Sequence, residues 1–193
     1  LLYTFQGRNS NYAHFSPDNN CLYYGLDSFI IFKDFRRDTV VCRLNVKGAY
    51  YDYAMSPDGK YLMVRSLSGI SIWNLSDLSC TSRYAVKRSK KACWSPLGES
   101  ILVDCGGRIV VWSWHSNETT FLNASDLGES LEVKYSRDSL WLMGYSDSEL
   151  LLWDAKTLGK IITIDIAEKL GKAARVRGLD ISTNGKYLLV NAW

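Results

Sequence analysis

At 193 residues, with 47% apolar and 13% aromatic side chains, the chain is long enough for one sizeable core and too apolar to be a disordered or solvating segment. A formal charge of +3 and a pI of about 8.5 are too mild to imply nucleic acid from composition, so any electrostatic partner must be argued from local clusters. No continuous apolar run reaches the ~18 residues of a membrane helix, and no charged-then-apolar signal peptide opens the chain.

The chain begins Leu1-Leu2-Tyr3-Thr4-Phe5, a strand-like run without an initiating methionine, and reads as an excerpt of a longer protein. From Phe15 a design appears: an apolar residue, Ser16-Pro17-Asp18, a polar pair, an apolar strand, the turn Leu26-Asp27-Ser28, and a second apolar strand ending in Phe32. It returns from Met55 to Leu75, from Trp94 to Trp114, from Tyr135 to Ala155, and in part from Ile181 to Trp193. The marker serines Ser16, Ser56, Ser95, Ser136 and Ser182 are spaced 40, 39, 41 and 46 residues apart. The closing aromatics Phe32, Trp73, Trp112 and Trp153 follow their serines by 16, 17, 17 and 17. Shared chemistry at a fixed period marks a repeated structural unit.

Within a repeat the runs are rich in Val, Ile, Tyr, Trp and Leu and are separated by Gly, Asp, Asn and Ser, the signal for short strands joined by tight turns. For residues 50 to 86 the predicted strands are Tyr50 to Met55, Tyr61 to Ser66, Gly69 to Leu75 and Cys80 to Val86. Pro57 presets the first turn, and Asp58-Gly59 supply its conformations. No sustained helical periodicity supports crossover helices, so the expectation is an all-β single domain of units near 11–45, 50–86, 91–122, 129–165 and an incomplete 176–193. The long fourth spacing is explained by a short amphipathic helix carrying Ile166, Leu170 and Ala173.

Little catalytic chemistry is written in the chain. The histidines, His14 and His115, sit beside Phe15 and Trp114 and read as structural or surface residues. Gly98 and Gly106-Gly107 serve hairpins, since no phosphate-loop motif exists. Asp126 with Glu129, and Asp147 with Glu149, read as solvated turn carboxylates. Cys21, Cys42, Cys80, Cys93 and Cys105 are odd in number and lack metal or redox spacing, so they read as buried thiols in a reducing compartment, cytoplasmic or nuclear. Asn74-Leu75-Ser76, Asn117-Glu118-Thr119 and Asn123-Ala124-Ser125 match the glycosylation pattern, which also arises by accident. No cofactor and no metal are expected. Trp73, Trp112 and Trp153 recur at one repeat position and read as packing between neighbouring sheets, whereas Trp114, Trp141 and Trp193 lie outside it and leave room for a partner contact, with packing the preferred reading for Trp141 inside its apolar run.

Four-stranded units at a spacing of roughly 40 residues resemble the WD-repeat β-propeller family. The family's closing dipeptide is intact as Trp153-Asp154 and altered to Phe32-Lys33, Trp73-Asn74 and Trp112-Ser113 elsewhere. Its tight-turn aspartate is matched by Asp27 and Asp147, with Gly69 and Gly106-Gly107 in the other two repeats. Its Gly-His pair is missing, which removes a member of the hydrogen-bonded Asp-His-Ser-Trp network but leaves the strand pattern untouched. The resemblance implies about four four-stranded blades plus partial terminal units. These would belong to a larger, seven-bladed propeller, with Leu1 to Phe5 an outer strand without its blade and the last repeat ending before its third strand.

The family resemblance further implies a non-enzymatic scaffold subunit that holds other proteins within a complex; recognition of nucleic acid or anionic lipid headgroups through basic loops is the alternative. In a blade, the link from the outer strand to the next inner strand shares a rim with the turn between the second and third strands. On this basis Lys87, Arg88, Lys90 and Lys91 in one link, Lys169, Lys172, Arg175 and Arg177 in another, and Arg108 after a glycine turn are the candidate partner-binding residues, suited to an acidic protein segment.

Overall fold

The alternation of Ser-Pro turns with β-branched and aromatic runs builds antiparallel sheets one after another. The computed structural model describes residues 13–87, 89–106, 108–122, 132–146, 149–171, 176–182 and 186–192. The first sheet runs in chain order through β1 (Ala13–Phe15), β2 (Cys21–Leu26), β3 (Phe29–Asp34) and β4 (Thr39–Asn45). The second follows the same order with β5 (Tyr50–Met55), β6 (Tyr61–Ser66), β7 (Gly69–Asn74) and β8 (Cys80–Tyr84). The third comprises β9 (Lys91–Trp94), β10 (Ile101–Asp104), β11 (Ile109–Ser113) and β12 (Glu118–Leu122). The fourth comprises β13 (Glu132–Tyr135), β14 (Trp141–Tyr145), β15 (Glu149–Asp154) and β16 (Lys160–Asp165). After a short helix α1 (Ile166–Leu170), β17 (Val176–Ile181) and β18 (Leu188–Ala192) pair as two strands. Leu1 to Phe5 lies outside the described residues.

The predicted strands of the second repeat hold, with β7 ending at Asn74 and β8 at Tyr84, slightly short of Leu75 and Val86. Alternation sets each sheet's faces. In β7, for example, Ile70, Ile72 and Trp73 are buried, with the register slipping between Ile72 and Trp73. The same irregularity follows Phe32 and precedes Trp153, so a β-bulge accompanies the closing aromatic in three of the four sheets. The turns between third and fourth strands each carry a left-handed residue, at Asp38, Leu78, Asn117 and Leu158. Leu78 and Leu158 hold this uncommon conformation while packing on the core clusters, which offsets the backbone cost. The 46-residue spacing does contain the expected helix: Asp165 caps it by accepting from the Glu168 amide at 3.0 Å, and Ile166 is buried. Ala173 lies outside the described residues.

The chain divides into two compact units, Leu1–Lys87 and Arg88–Trp193. In the first, two sheets pack on a core of Tyr23, Ile30, Phe32, Leu44, Tyr53, Leu62, Val64 and Trp73. Tyrosines stitch the two together: the Gly25 amide donates to the Tyr53 hydroxyl at 2.6 Å, the Met55 amide donates to Tyr23 at 3.1 Å, and Tyr50 donates to the Phe29 carbonyl at 3.2 Å. Burial holds the Tyr53 phenol well above its usual range, so these rings act as neutral partners. His14 stacks on Tyr23 and meets the edge of Tyr53, a packing role as expected.

In the second unit, Leu102, Ile109, Val111, Leu122, Leu142, Leu151 and Trp153 form the core between the third and fourth sheets. A further cluster joins Met143, Leu150 and Ile166 to Val176, Leu179 and Ile181 of the two-stranded sheet. Tyr135 and Ser100 bridge the third and fourth sheets at 3.1 Å. Trp73, Trp112 and Trp153 are all buried, which settles their packing role. Trp114 is also buried, donating to the Gly98 carbonyl at 2.9 Å and meeting the edge of Trp94, so the partner contact considered for it is corrected to packing. Trp141 is half-buried, and Trp193 lies outside the described residues. The five cysteines are free but only partly buried, less so than their strand positions suggested. Burial pushes the Cys93 thiol up to about 11, which makes it a poor nucleophile.

Candidate functional site

The basic link before the third sheet is positioned by that sheet's own ladder. Lys91 opens β9 opposite Asp104 of β10, and the Lys90 amide donates to the Asp104 carbonyl at 2.8 Å. Asp104 then turns the chain by accepting from the Gly106 amide at 2.8 Å, and the Cys105 amide closes the hairpin onto the Arg108 carbonyl at 2.8 Å. The Lys90 side chain extends over this turn, its Cε 3.4 Å from where a Gly106 Cβ would stand. The link and the second-to-third-strand turn therefore share one end of the sheet, and Lys90, Lys91 and Arg108, all exposed, come together there. Ser89, between the basic residues, is buried, so the run is anchored at its centre. Lys87 is exposed at the end of the first compact unit; Arg88 lies outside the described residues.

The corresponding end of the fourth sheet carries α1, whose Lys169 is exposed. Here the charge is mixed. Asp165 and Glu168 share the helix, and Glu149 stands opposite Asp165 in the β15–β16 ladder. Lys172 and Arg175 lie outside the described residues, and Arg177 is placed by its backbone in β17. Of the nine residues expected from sequence, Lys90, Lys91 and Arg108 are thus brought into one cluster, and Lys169 sits among carboxylates.

The first compact unit supplies what the charge runs missed. The link Val46 to Tyr50 runs beside the ends of β6, β7 and β8 and borders an open cavity of about 490 Å³ whose charged lining residues are Lys47 and Arg83, both exposed. The signal was available by equivalence, since Val46-Lys47-Gly48-Ala49 occupies the same place in its repeat as the basic link does in the next. At the opposite strand ends of this unit, a cavity of about 480 Å³ lies between the two Ser-Pro-Asp turns, lined by Cys21, Cys42, Phe32, Met55 and Leu75.

Among the described residues no group of three or more His, Cys, Asp or Glu side chains could hold a metal, and no helix is long and apolar enough to cross a membrane. His115 is exposed against the Trp114 ring. Asp126, Glu129 and Asp147 lie outside the described residues. Asn117, within one glycosylation pattern, is engaged in accepting from the Trp112 indole at 3.0 Å.

Four consecutive antiparallel four-stranded sheets, each closed by an aromatic in its third strand, are compared most directly with solved structures. The chain is similar to the Cps50 (Swd1) β-propeller domain of Myceliophteria thermophila, at 18% identity and a TM-score of 0.70, and to hydrazine synthase of Kuenenia stuttgartiensis, at 18% identity and a TM-score of 0.69. It has a β-propeller fold. Each likeness covers 98% of this chain but 64% of the first protein and 57% of the second, so the blades seen here span less than two thirds of either. No protein-family model matches the sequence, and no curated protein does.

Proposed function

We propose that the chain is part of a larger WD-type propeller acting as a non-enzymatic scaffold that docks an acidic segment of a partner protein in a multi-protein complex. The observation that carries this reading is the cluster of Lys90, Lys91 and Arg108 held by the third blade's hairpin, an exposed cationic surface on a rigid frame. Lys87, Arg88, Lys169, Lys172, Arg175 and Arg177 extend the set of cations offered to the partner. The name of the Myceliophteria protein describes only its propeller domain, and the hydrazine synthase is named for an enzyme; the scaffold reading is supported by the cationic strand ends rather than by either name.

The test is affinity capture on the full-length protein, comparing the natural chain with one carrying Glu at Lys87, Arg88 and Lys90. Lys91 is changed to Gln, because a glutamate there would face Asp104 across the ladder. Thermal stability is expected to stay close to that of the natural chain, while partner association slows, most at low salt. A partner that binds both forms equally at low salt overturns this surface as the docking face. Steep salt dependence together with retention on nucleic acid or on vesicles of anionic lipid replaces the protein partner with phosphate groups.

A further inference from the structure

The cavity at the β4–β5 link and the ends of β6, β7 and β8 brings two cations onto one space. Val64, buried, shares one face of the sheet with Ser71 and Arg83, and Ser66 and Ser68 add further hydroxyls around the space. Its charged lining residues are both cations, Lys47 and Arg83, and no carboxylate is among the residues that line it. Asp27 acts electrostatically on the Tyr50 hydroxyl without lining the cavity.

The walls are held in place. Ser71 accepts from the Trp73 indole at 2.9 Å, Ser66 and Ser68 bond each other at 2.9 Å, and the Arg83 guanidinium lies 5.9 Å from the centre of the Trp73 ring. Gly69, at φ +127°, lets the β6–β7 turn close onto β8, where any Cβ would overlap the Tyr84 carbonyl. Leu67, 69% exposed, offers an apolar contact among the lining residues. Two cations lining one space without an anion among the lining residues are relieved by a ligand carrying negative charge, and Val64 with Leu67 favours one with an aliphatic stem behind that charge.

We propose that this cavity seats a glutamate side chain of the partner's acidic segment, its methylenes against Val64 and Leu67 and its carboxylate between Lys47 and Arg83. The inference rests on the reading of the chain as a docking scaffold, and it assigns the anchoring contact to residues outside the basic link.

A fluorescein-labelled, acetylated nonapeptide of three Gly-Leu-Glu repeats is titrated into the protein by anisotropy, beside the same peptide with Gln for Glu and another with phosphoserine for Glu. The Glu peptide is expected to bind at least about ten-fold more tightly than the Gln peptide, and Lys47→Gln and Arg83→Gln each to weaken it about ten-fold. Arg83→Lys retains the charge and should stay within about three-fold, separating loss of charge from loss of packing on Trp73; thermal unfolding of each variant checks the fold. Changing Lys87, Arg88 and Lys90 to Glu should cost less than about three-fold at this contact. If those link variants abolish binding while Lys47→Gln and Arg83→Gln do not, the cavity is overturned and the scaffold reading stands. Equal binding of Glu and Gln peptides, or none by any peptide, overturns the cavity as an anion seat, and partner capture then decides the scaffold reading separately. Tighter binding of the phosphoserine peptide overturns the assignment to a carboxylate.

Discussion

The backbone amide of Tyr61 donates to the hydroxyl of Ser56 at 2.9 Å, closing the turn between the first and second strands of its blade. The same bond joins Cys21 to Ser16, Ser100 to Ser95, Trp141 to Ser136 and Tyr187 to Ser182, at 2.9 to 3.0 Å. In each case the serine amide also donates to the carbonyl of that fifth residue. The repeating serine is therefore a clasp, present even where the following Pro-Asp has drifted to Pro-Leu or Thr-Asn. Ser56 is almost fully buried, so Ser56→Ala leaves the Tyr61 amide without its acceptor and is expected to cost about 1 to 3 kcal/mol in urea unfolding. Asp58→Ala keeps the clasp and should cost about 1 kcal/mol or less. Equal costs for the two would show that the hydroxyl is not what holds the turn.

The turn aspartates give the protein an acid limb. The Ser16 and Ser136 hydroxyls are the main cause holding the Asp18 and Asp138 carboxyls below their usual value of 3.8. Asp58 is lowered as well: burial pushes it up, but the Ser56 hydroxyl and the Lys60 amide together outweigh that. A carboxylate depressed in the folded state contributes stability that is present above about pH 4 and is lost as pH falls through the folded pKa. Replacing all three with Asn is expected to flatten the fall of stability below about pH 4, read as urea midpoints across that range, while leaving its shape near neutrality unchanged. An acid limb of unchanged steepness would place the responsible carboxylates elsewhere.

Strands and turns were legible in the sequence because the repeat wrote the same chemistry four times over, so that a departure in one copy was read against the others. The clasp serines, the closing aromatics and the helix at Ile166 all follow from that periodicity. The cavity at Lys47 and Arg83 did not, since single cations 36 residues apart carry no local pattern and meet only when the β4–β5 link folds over the second blade. Charge runs, by contrast, are visible whether or not they act together. The run at Lys87 to Lys91 is legible as a link beside a hairpin, whereas the carboxylates around Lys169 are not, because Glu149 and Asp165 become neighbours only through the β15–β16 register.

The closing tryptophans differ in how each satisfies its indole. Trp73 donates to Ser71, two residues before it, and Trp112 to Asn117, five residues after it. For Trp153 the same two positions are Leu151 and Leu158, and its buried indole nitrogen finds no partner among the described residues. Truncation of Trp112 or Trp153 to Ala is expected to cost about 3 to 5 kcal/mol. The phenylalanine variants should separate them. Trp112→Phe breaks a hydrogen bond and leaves Asn117 behind, whereas Trp153→Phe removes a donor whose burial already costs about 1 to 3 kcal/mol. Thermal unfolding should therefore show Trp153→Phe to be the milder change; the reverse order would mean that cavity formation outweighs the indole's hydrogen bonding.

Trp153 also depends on a missing side chain. A Cβ at Gly144 would stand 2.9 Å from both the Cη2 and Cζ3 atoms of the Trp153 ring and 3.1 Å from Cγ2 of Val133, closer than packed carbons tolerate. The ring is fully buried between blades and cannot swing away into solvent, so Gly144→Ala is expected to cost about 1 to 3 kcal/mol through overpacking. Phenylalanine lacks both of the obstructing ring atoms. In the background of Trp153→Phe, the added methyl should therefore occupy part of the space the indole vacates, leaving only the Val133 contact to adjust. A double-mutant cycle measured by urea unfolding should give a favourable coupling of about 1 kcal/mol or more between the two positions. Additive costs would show that the second ring of Trp153 does not rest on Gly144, and that the glycine is required there for its backbone alone.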